Sequence, residues 1–318
     1  MNSMPSSSGK GISPRIELPP HAFPALCTLC FRPWGEATTI PGMPRFSLLL
    51  FIASTSLACL SLAAQAADAP QRIVSMNLCS DQLLLLLAER TRIASLSYLA
   101  ADPGFSPVAA QTNGLHLNHG QAEELLPLAP DLVLSGAFSA TLATNLLERL
   151  GIEVLRLGVA NSASDIYTQV GSVAARIGAT PRAQHIVNTM QQDIAAYIAQ
   201  LRAALQGKSA VFFSSNGFTY GSHTLQDDFI ISLGMRNAAA QVQGPAQLSL
   251  EALLLAEPDF LFINPPARLD KQLAHPLLQH AALAALQGRM QVIELPDRYF
   301  ECASPLYVQA YAALARQL

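Results

Sequence analysis

Two stretches of this chain are nearly the same. "EELLPLAPDLVL" runs from Glu123 to Leu134, and "EALLLAEPDFLF" runs from Glu251 to Phe262. Each reads Glu, any residue, Leu-Leu, then Pro-Asp seven and eight residues after the Glu, then an apolar run. Locally the physics is ordinary. A carboxylate is favoured in the first turn of a helix, and Pro-Asp ends that helix and starts a strand. A helix-to-strand junction that recurs 128 residues later (Glu123 to Glu251) requires more: the chain contains two similar α/β units.

The surrounding sequence fits that requirement. Strand-like runs are "RIVSM" (72–76), "RIASLS" (92–97), "DLVLSG" (131–136) and "EVLRLG" (153–158), separated by the helical stretches "SDQLLLLLAE", "QAEELLPLA" and "ATLATNLLERL". Asp81 or Ser80 is expected to cap the first helix and Gly151 to stop the third. A second set follows with strands "SAVFFSS" (209–215), "DFLFIN" (259–264) and "QVIELP" (291–296) and helices "TLQDDFIISLG", "LSLEALLLAE" and "HPLLQHAALAAL". Alternation of this kind is the signature of α/β layering. The expected organisation is an N-terminal lobe over 70–162, a helical linker over 163–206 and a C-terminal lobe over 207–318.

The linker carries no strand signal. A long helix is expected from Pro181 to Gly207. Ile186, Met190, Ile194, Tyr197, Ile198, Leu201 and Leu205 fall three or four apart, so one face is apolar and packs on something.

The chain of 318 residues is 51% hydrophobic and 13% charged, with mean hydropathy +0.29. Much of the apolar excess is local: from Phe46, "FSLLLFIASTSLACLSLAAQAADAP" follows Arg45 with no charge before Asp68. A basic start at Met43, an apolar centre and Ala64-Gln65-Ala66 read as a cleavable signal peptide over 43–66. A transmembrane anchor is the competing reading. Lipidation at Cys59 is less favoured, because Ser56-Leu57-Ala58 matches a lipoprotein box poorly. Residues 1–42, rich in Ser and Pro, read as a disordered leader or an over-extended start. Cys27 and Cys30 have redox spacing but no second pair. Export leaves Cys79 and Cys302, which form either a disulfide in an oxidising compartment or two buried thiols.

The opening "RIVSMNLCSDQLLLLLA", the twin Glu…Pro-Asp segments, the long inter-lobe helix and the closing "VIELPDRYFECASPLYVQAYAALA" resemble the periplasmic substrate-binding proteins of ABC importers, in the branch handling vitamin B12, haem and ferric siderophores. The resemblance covers essentially the whole exported chain. It implies two Rossmann-like α/β lobes joined by a long rigid helix, with a ligand cleft between them and modest closure on binding. It also implies a metal-chelate ligand, an ABC permease dimer in the inner membrane as partner, a monomer, and no cofactor. Members place an exposed Glu on each lobe to meet permease arginines. Glu123 and Glu251 match, with Glu124 an adjacent alternative. A Cys79–Cys302 bond would then tie the first strand's loop to the closing loop across the cleft.

Ligands of open α/β sheets bind beyond the carboxyl ends of the strands. Those ends carry Asn77 and Leu78, Tyr98, Phe138, then Asn216, Phe218 and Tyr220, then Asn264, and finally Arg298, Tyr299 and Phe300. Aromatic rings suit a bulky chelate, and Arg298 is expected to meet a carboxylate or phosphate. Trp is frequent in relatives near the Phe300 position, and here Tyr299 and Phe300 would substitute. His116 and His119, in "HLNHG", lack a third metal ligand; His119 is carried forward as a ligand contact, and His223, His275 and His280 read as loop or capping residues.

Other classes fit poorly. A net charge of −3 without a basic cluster argues against nucleic acid. "GKS" at 207–209 lacks the first glycine of a P-loop, and no Gly-x-Ser-x-Gly elbow is present. The rival from another class is an exported α/β hydrolase or metal-dependent enzyme.

Overall fold

The first five strands run parallel in one sheet. They are β1 (Ile73–Ser75), β2 (Ile93–Ser97), β3 (Leu117–Asn118), β4 (Leu132–Gly136) and β5 (Glu153–Leu157), ordered β3-β2-β1-β4-β5. Parallel sheets are covered on both faces, which is why "IVS" of β1 and "LVLS" of β4 are buried throughout. The computed structural model describes residues 69–214, 217–264 and 288–318, all within one compact unit. The segment 43–66, Asn216, the expected helix "HPLLQHAALAAL" and His275 and His280 lie outside the described residues.

Helix α1 (Leu78–Leu87) starts earlier than its sequence suggests. Its cap is Asn77, whose side-chain oxygen accepts from the Cys79 and Ser80 amides at 3.0 and 3.1 Å. Asp81 is fully buried one turn in and accepts from the Ser97 amide at 3.0 Å and from the Ser97 hydroxyl. It ties α1 to the end of β2, so its role is tertiary and not that of a cap.

Each Glu…Pro-Asp segment forms the same junction. Glu123 lies in the first turn of the short α2 (Ala122–Leu125), and α3 (Thr141–Arg149) follows β4. Ala129 turns the chain left-handed at φ 45°, and Glu257, at the equivalent place in the second copy, does so at φ 39°. The aspartate then clamps the first strand of its own lobe. Asp131 accepts from the Gln71 and Arg72 amides, and Asp259 accepts from the Ser209 amide at 2.8 Å. Lys208 also reaches Asp259 at 3.0 Å, and these donors hold its carboxyl below the usual range, the Ser209 amide contributing most.

Helix α4 (Ala163–Ile177) is capped by Ser162 and stopped by Gly178 at φ 74°. Helix α5 (Thr180–Leu205) has 26 residues with Pro181 in its first turn, a rod about 39 Å long at 1.5 Å per residue. Ala183, Met190, Ile194, Leu201 and Leu205 are its buried stripe.

The second parallel sheet has β6 (Ser209–Phe212), β8 (Arg236–Asn237), β10 (Phe260–Ile263) and β11 (Gln291–Glu294) in the order β11-β10-β6-β8. A small antiparallel ribbon pairs β7 (Phe218–Tyr220) with β9 (Pro245–Gln247). Helices α6 (Leu225–Ser232), α7 (Leu250–Ala256) and α8 (Val308–Ala315) complete this lobe among the described residues. One hydrophobic core runs from Ile73 and Leu132 through Ile166, Val170, Met190 and Ile194 to Phe212, Phe229 and Tyr311. The two lobes therefore share packed side chains through α4 and α5.

Candidate functional site

A cleft of about 570 Å³ opens between the lobes, within the range of small-molecule sites. Its N-lobe wall comes from the loop after β1, the loop after β4 and the segment after β5, which contribute Asn77, Leu78, Phe138, Leu157 and Val159. The facing wall comes from the end of β7, the turn into α6 with the first turn of that helix, and the loop after β11, with Tyr220, His223, Gln226, Asp297, Phe300 and Glu301. These are the carboxyl ends of strands, where an open parallel sheet leaves room for a ligand.

Local interactions hold the walls. Asn77 caps α1 and also donates through Nδ2 to the Ser139 hydroxyl at 3.1 Å, while the Gly136 amide donates to the same oxygen at 2.8 Å. This pins the base of the loop bearing Phe138, whose ring is 94% exposed at the cleft. Across the cleft His223 has φ 62°. Before it, Gly221 lies so close to the segment leading into β9 that a Cβ would stand 2.1 Å from the Val242 carbonyl oxygen. That contact is backbone and cannot rotate away. Gly221→Ala is expected to cost about 2 to 3 kcal/mol and to displace Tyr220 and His223; a denaturation midpoint equal to that of the parent would refute this.

Of the residues expected at a ligand, Asn77, Leu78, Phe138, Tyr220 and Phe300 line the cleft. Phe300 is only 6% exposed and packs edge-to-face on Phe212 and Phe229 at 5.0 and 5.3 Å, so it closes the cleft wall from the core rather than projecting as a platform. Tyr98, His119, Phe218, Arg298 and Tyr299 are not among the lining residues. Tyr98 stacks on His119 at 4.9 Å, and His119 Nδ1 lies 3.1 Å from Glu124. The Arg298 guanidinium sits 5.4 Å from the centre of the Tyr299 ring, a cation–π contact, and Tyr299 is buried. His116 bonds to Ser95 at 3.1 Å, so the two histidines of "HLNHG" have separate partners. Among the described residues no three His, Cys, Asp or Glu side chains group as a metal site.

Sequence reasoning read His223 as a loop or capping residue without assigning it to the cleft, and missed Asp297 and Glu301. No periodicity marks them; they reach the cleft because short loops turn there. The cleft raises the Glu301 carboxyl above its usual range, first because protein walls replace water around it and then through the charge of Asp297. Tyr220 is raised by burial and then by both acids. Cys79 also lines the cleft, and its sulfur is bonded to that of Cys302, with the two Cα atoms 4.8 Å apart. Beside that bond the Ser304 hydroxyl donates to Gln82 Oε1 at 2.6 Å in a buried contact.

Residues 73–299 match the family model described as periplasmic binding protein. The chain belongs to the periplasmic binding protein family. This binding protein shares its fold with the haem-binding protein RhuT from Roseiflexus sp. RS-1, at a TM-score of 0.64 and 23% identity over 77% of this chain and 97% of that one. The vitamin B12 binding protein BtuF of Vibrio cholerae superposes with a TM-score of 0.59 and 18% identity, covering 78% and 99%. The uncharacterized ABC transporter substrate-binding lipoprotein YvrC of Bacillus subtilis is 22% identical over 198 residues, 60% of this binding protein and 62% of that relative. The alignment thus spans less than two thirds of the relative's length.

Proposed function

We propose that the protein is the exported substrate-binding component of an ABC importer, which captures a metal chelate such as a corrinoid, ferric siderophore or haem and delivers it to a membrane permease. The observation that carries this reading is the cleft between two parallel α/β lobes, walled by strand-end loops, in a chain of the periplasmic binding protein family. Structural neighbours named for haem and vitamin B12 support the chelate class, and the relative named as an ABC transporter lipoprotein supports the partner and export. Export by a cleavable signal over 43–66 is part of the proposal, as is a monomeric state.

Glu123 and Glu251 serve as the permease contacts in this reading. Both are exposed in the first turn of equivalent helices. Glu124, the alternative, is committed locally. Its carboxylate accepts from the His119 amide at 2.6 Å, and this bond above all lowers its pKa.

The test is a thermal-shift panel on protein beginning at Ala67, with cobalamin, cobinamide, haem and ferric siderophores, and bare metal ions as controls. A cargo at 100 times its Kd adds about 2.7 kcal/mol of stability. With the cognate permease, the double variant E123A/E251A should bind the cargo normally yet lose transport about tenfold or more, as two charge-assisted contacts are removed. Silence across the panel rejects the cargo class, and unimpaired transport by the double variant rejects the docking residues.

A further inference from the structure

The two walls of the cleft differ in chemistry. The N-lobe wall is mostly apolar, with Leu78, Phe138, Leu157 and Val159 among its members, whereas the C-lobe wall holds the carboxylates of Asp297 and Glu301 beside Tyr220 and His223. Among the described residues lining the cleft there is no Lys or Arg. The Arg298 guanidinium rests on Tyr299 instead. Glu301 keeps contact with solvent at the cleft although the walls displace part of the water around it, so its carboxylate can face a ligand there.

A carboxylate accepts hydrogen bonds and attracts positive charge, and in a walled cleft of reduced dielectric it repels another carboxylate strongly. We infer that the cleft selects a chelate with one apolar face and a donor-bearing, uncharged or cationic rim, and disfavours one whose rim carries carboxylates. A corrinoid, ringed by carboxamides, meets this description, whereas haem, with two propionates, does not. The inference rests on the cargo reading above and narrows it. The Tyr220 hydroxyl, on the same wall, is a hydrogen-bond donor for a carbonyl on that rim.

The experiment measures Kd at pH 7.5 and low salt by isothermal titration for two probes, cobinamide and haem. Cobinamide should bind at least about tenfold more tightly, a difference of about 1.4 kcal/mol. Glu301→Gln keeps the shape and removes the charge, and it should shrink the cobinamide-to-haem preference about fivefold or more; Asp297→Asn is the second variant, with an unchanged melting temperature required of the variant used. Haem bound as tightly as cobinamide, or a preference unaltered in both variants, overturns the selectivity alone. Binding of neither probe, when a ferric siderophore with an anionic rim binds, also overturns it, whereas silence toward every chelate overturns the cargo reading and this inference together.

Discussion

Replacing Cys79 and Cys302 together by serine is expected to lower the unfolding free energy by about 5 kcal/mol, the chain-entropy value for a cross-link closing so long a loop. The two cysteines are 223 residues apart in sequence, so the bond restricts most of the described unfolded chain. In the folded protein it joins the first turn of α1 to the closing loop of the C-terminal lobe, with the Ser304–Gln82 contact alongside. The effect is read from guanidinium midpoints of the parent with and without reductant and of the double variant. Reduced parent and variant should coincide well below the oxidised parent. Equal midpoints for all three, or equal alkylated masses before and after reduction, would eliminate the cross-link as a source of stability.

A pH experiment isolates Asp81. Its carboxyl is pushed up to about 6, mainly by burial, against hydrogen bonds from Ser75 and Ser97 that oppose the rise. In the unfolded chain an aspartate titrates near pH 3.9. Between those values the folded state holds a proton that the unfolded state has released. Stability from this group is therefore full below about pH 4 and is lost as pH rises through about 6, amounting to about 3 kcal/mol for a shift of this size. Asp81→Asn keeps the shape and the bond from the Ser97 amide without the charge. The variant should be the more stable protein at pH 7.5 and lose that advantage at pH 4. Parallel pH profiles for parent and variant would show that burial does not perturb this carboxyl.

Much of the architecture was legible along the chain because its signals are local. Apolar runs such as "FLFI" are strands buried on both faces, the spacing of Met190, Ile194, Leu201 and Leu205 is a helix face, and Gly151 ends a helix through backbone freedom. The short strands β3 and β8 and the ribbon of β7 with β9 were not legible. Two or three residues carry too little pattern to stand out, and they are strands only because a sheet edge or a neighbouring loop supplies their partners. Asp81 shows the same limit. A helix-start aspartate reads as a cap, but Asn77 holds that place and β2 claims the carboxylate.

The sequence by itself determined that the chain has two α/β units with a repeated helix-to-strand junction, since Glu, Leu-Leu and Pro-Asp act within one short stretch of chain. It also marked the strand ends as the place for a ligand. Only the tertiary structure decided which strand-end residues share the cleft. Arg298 and Phe300 are two positions apart, yet one guanidinium lies on a neighbouring ring outside the lining and the other side chain closes the wall from the core. His223, Asp297 and Glu301 come to line one cleft with Phe138 because α4 and α5 pack between the two sheets. Such a meeting is a property of rigid packing between distant segments, and no window of sequence contains it.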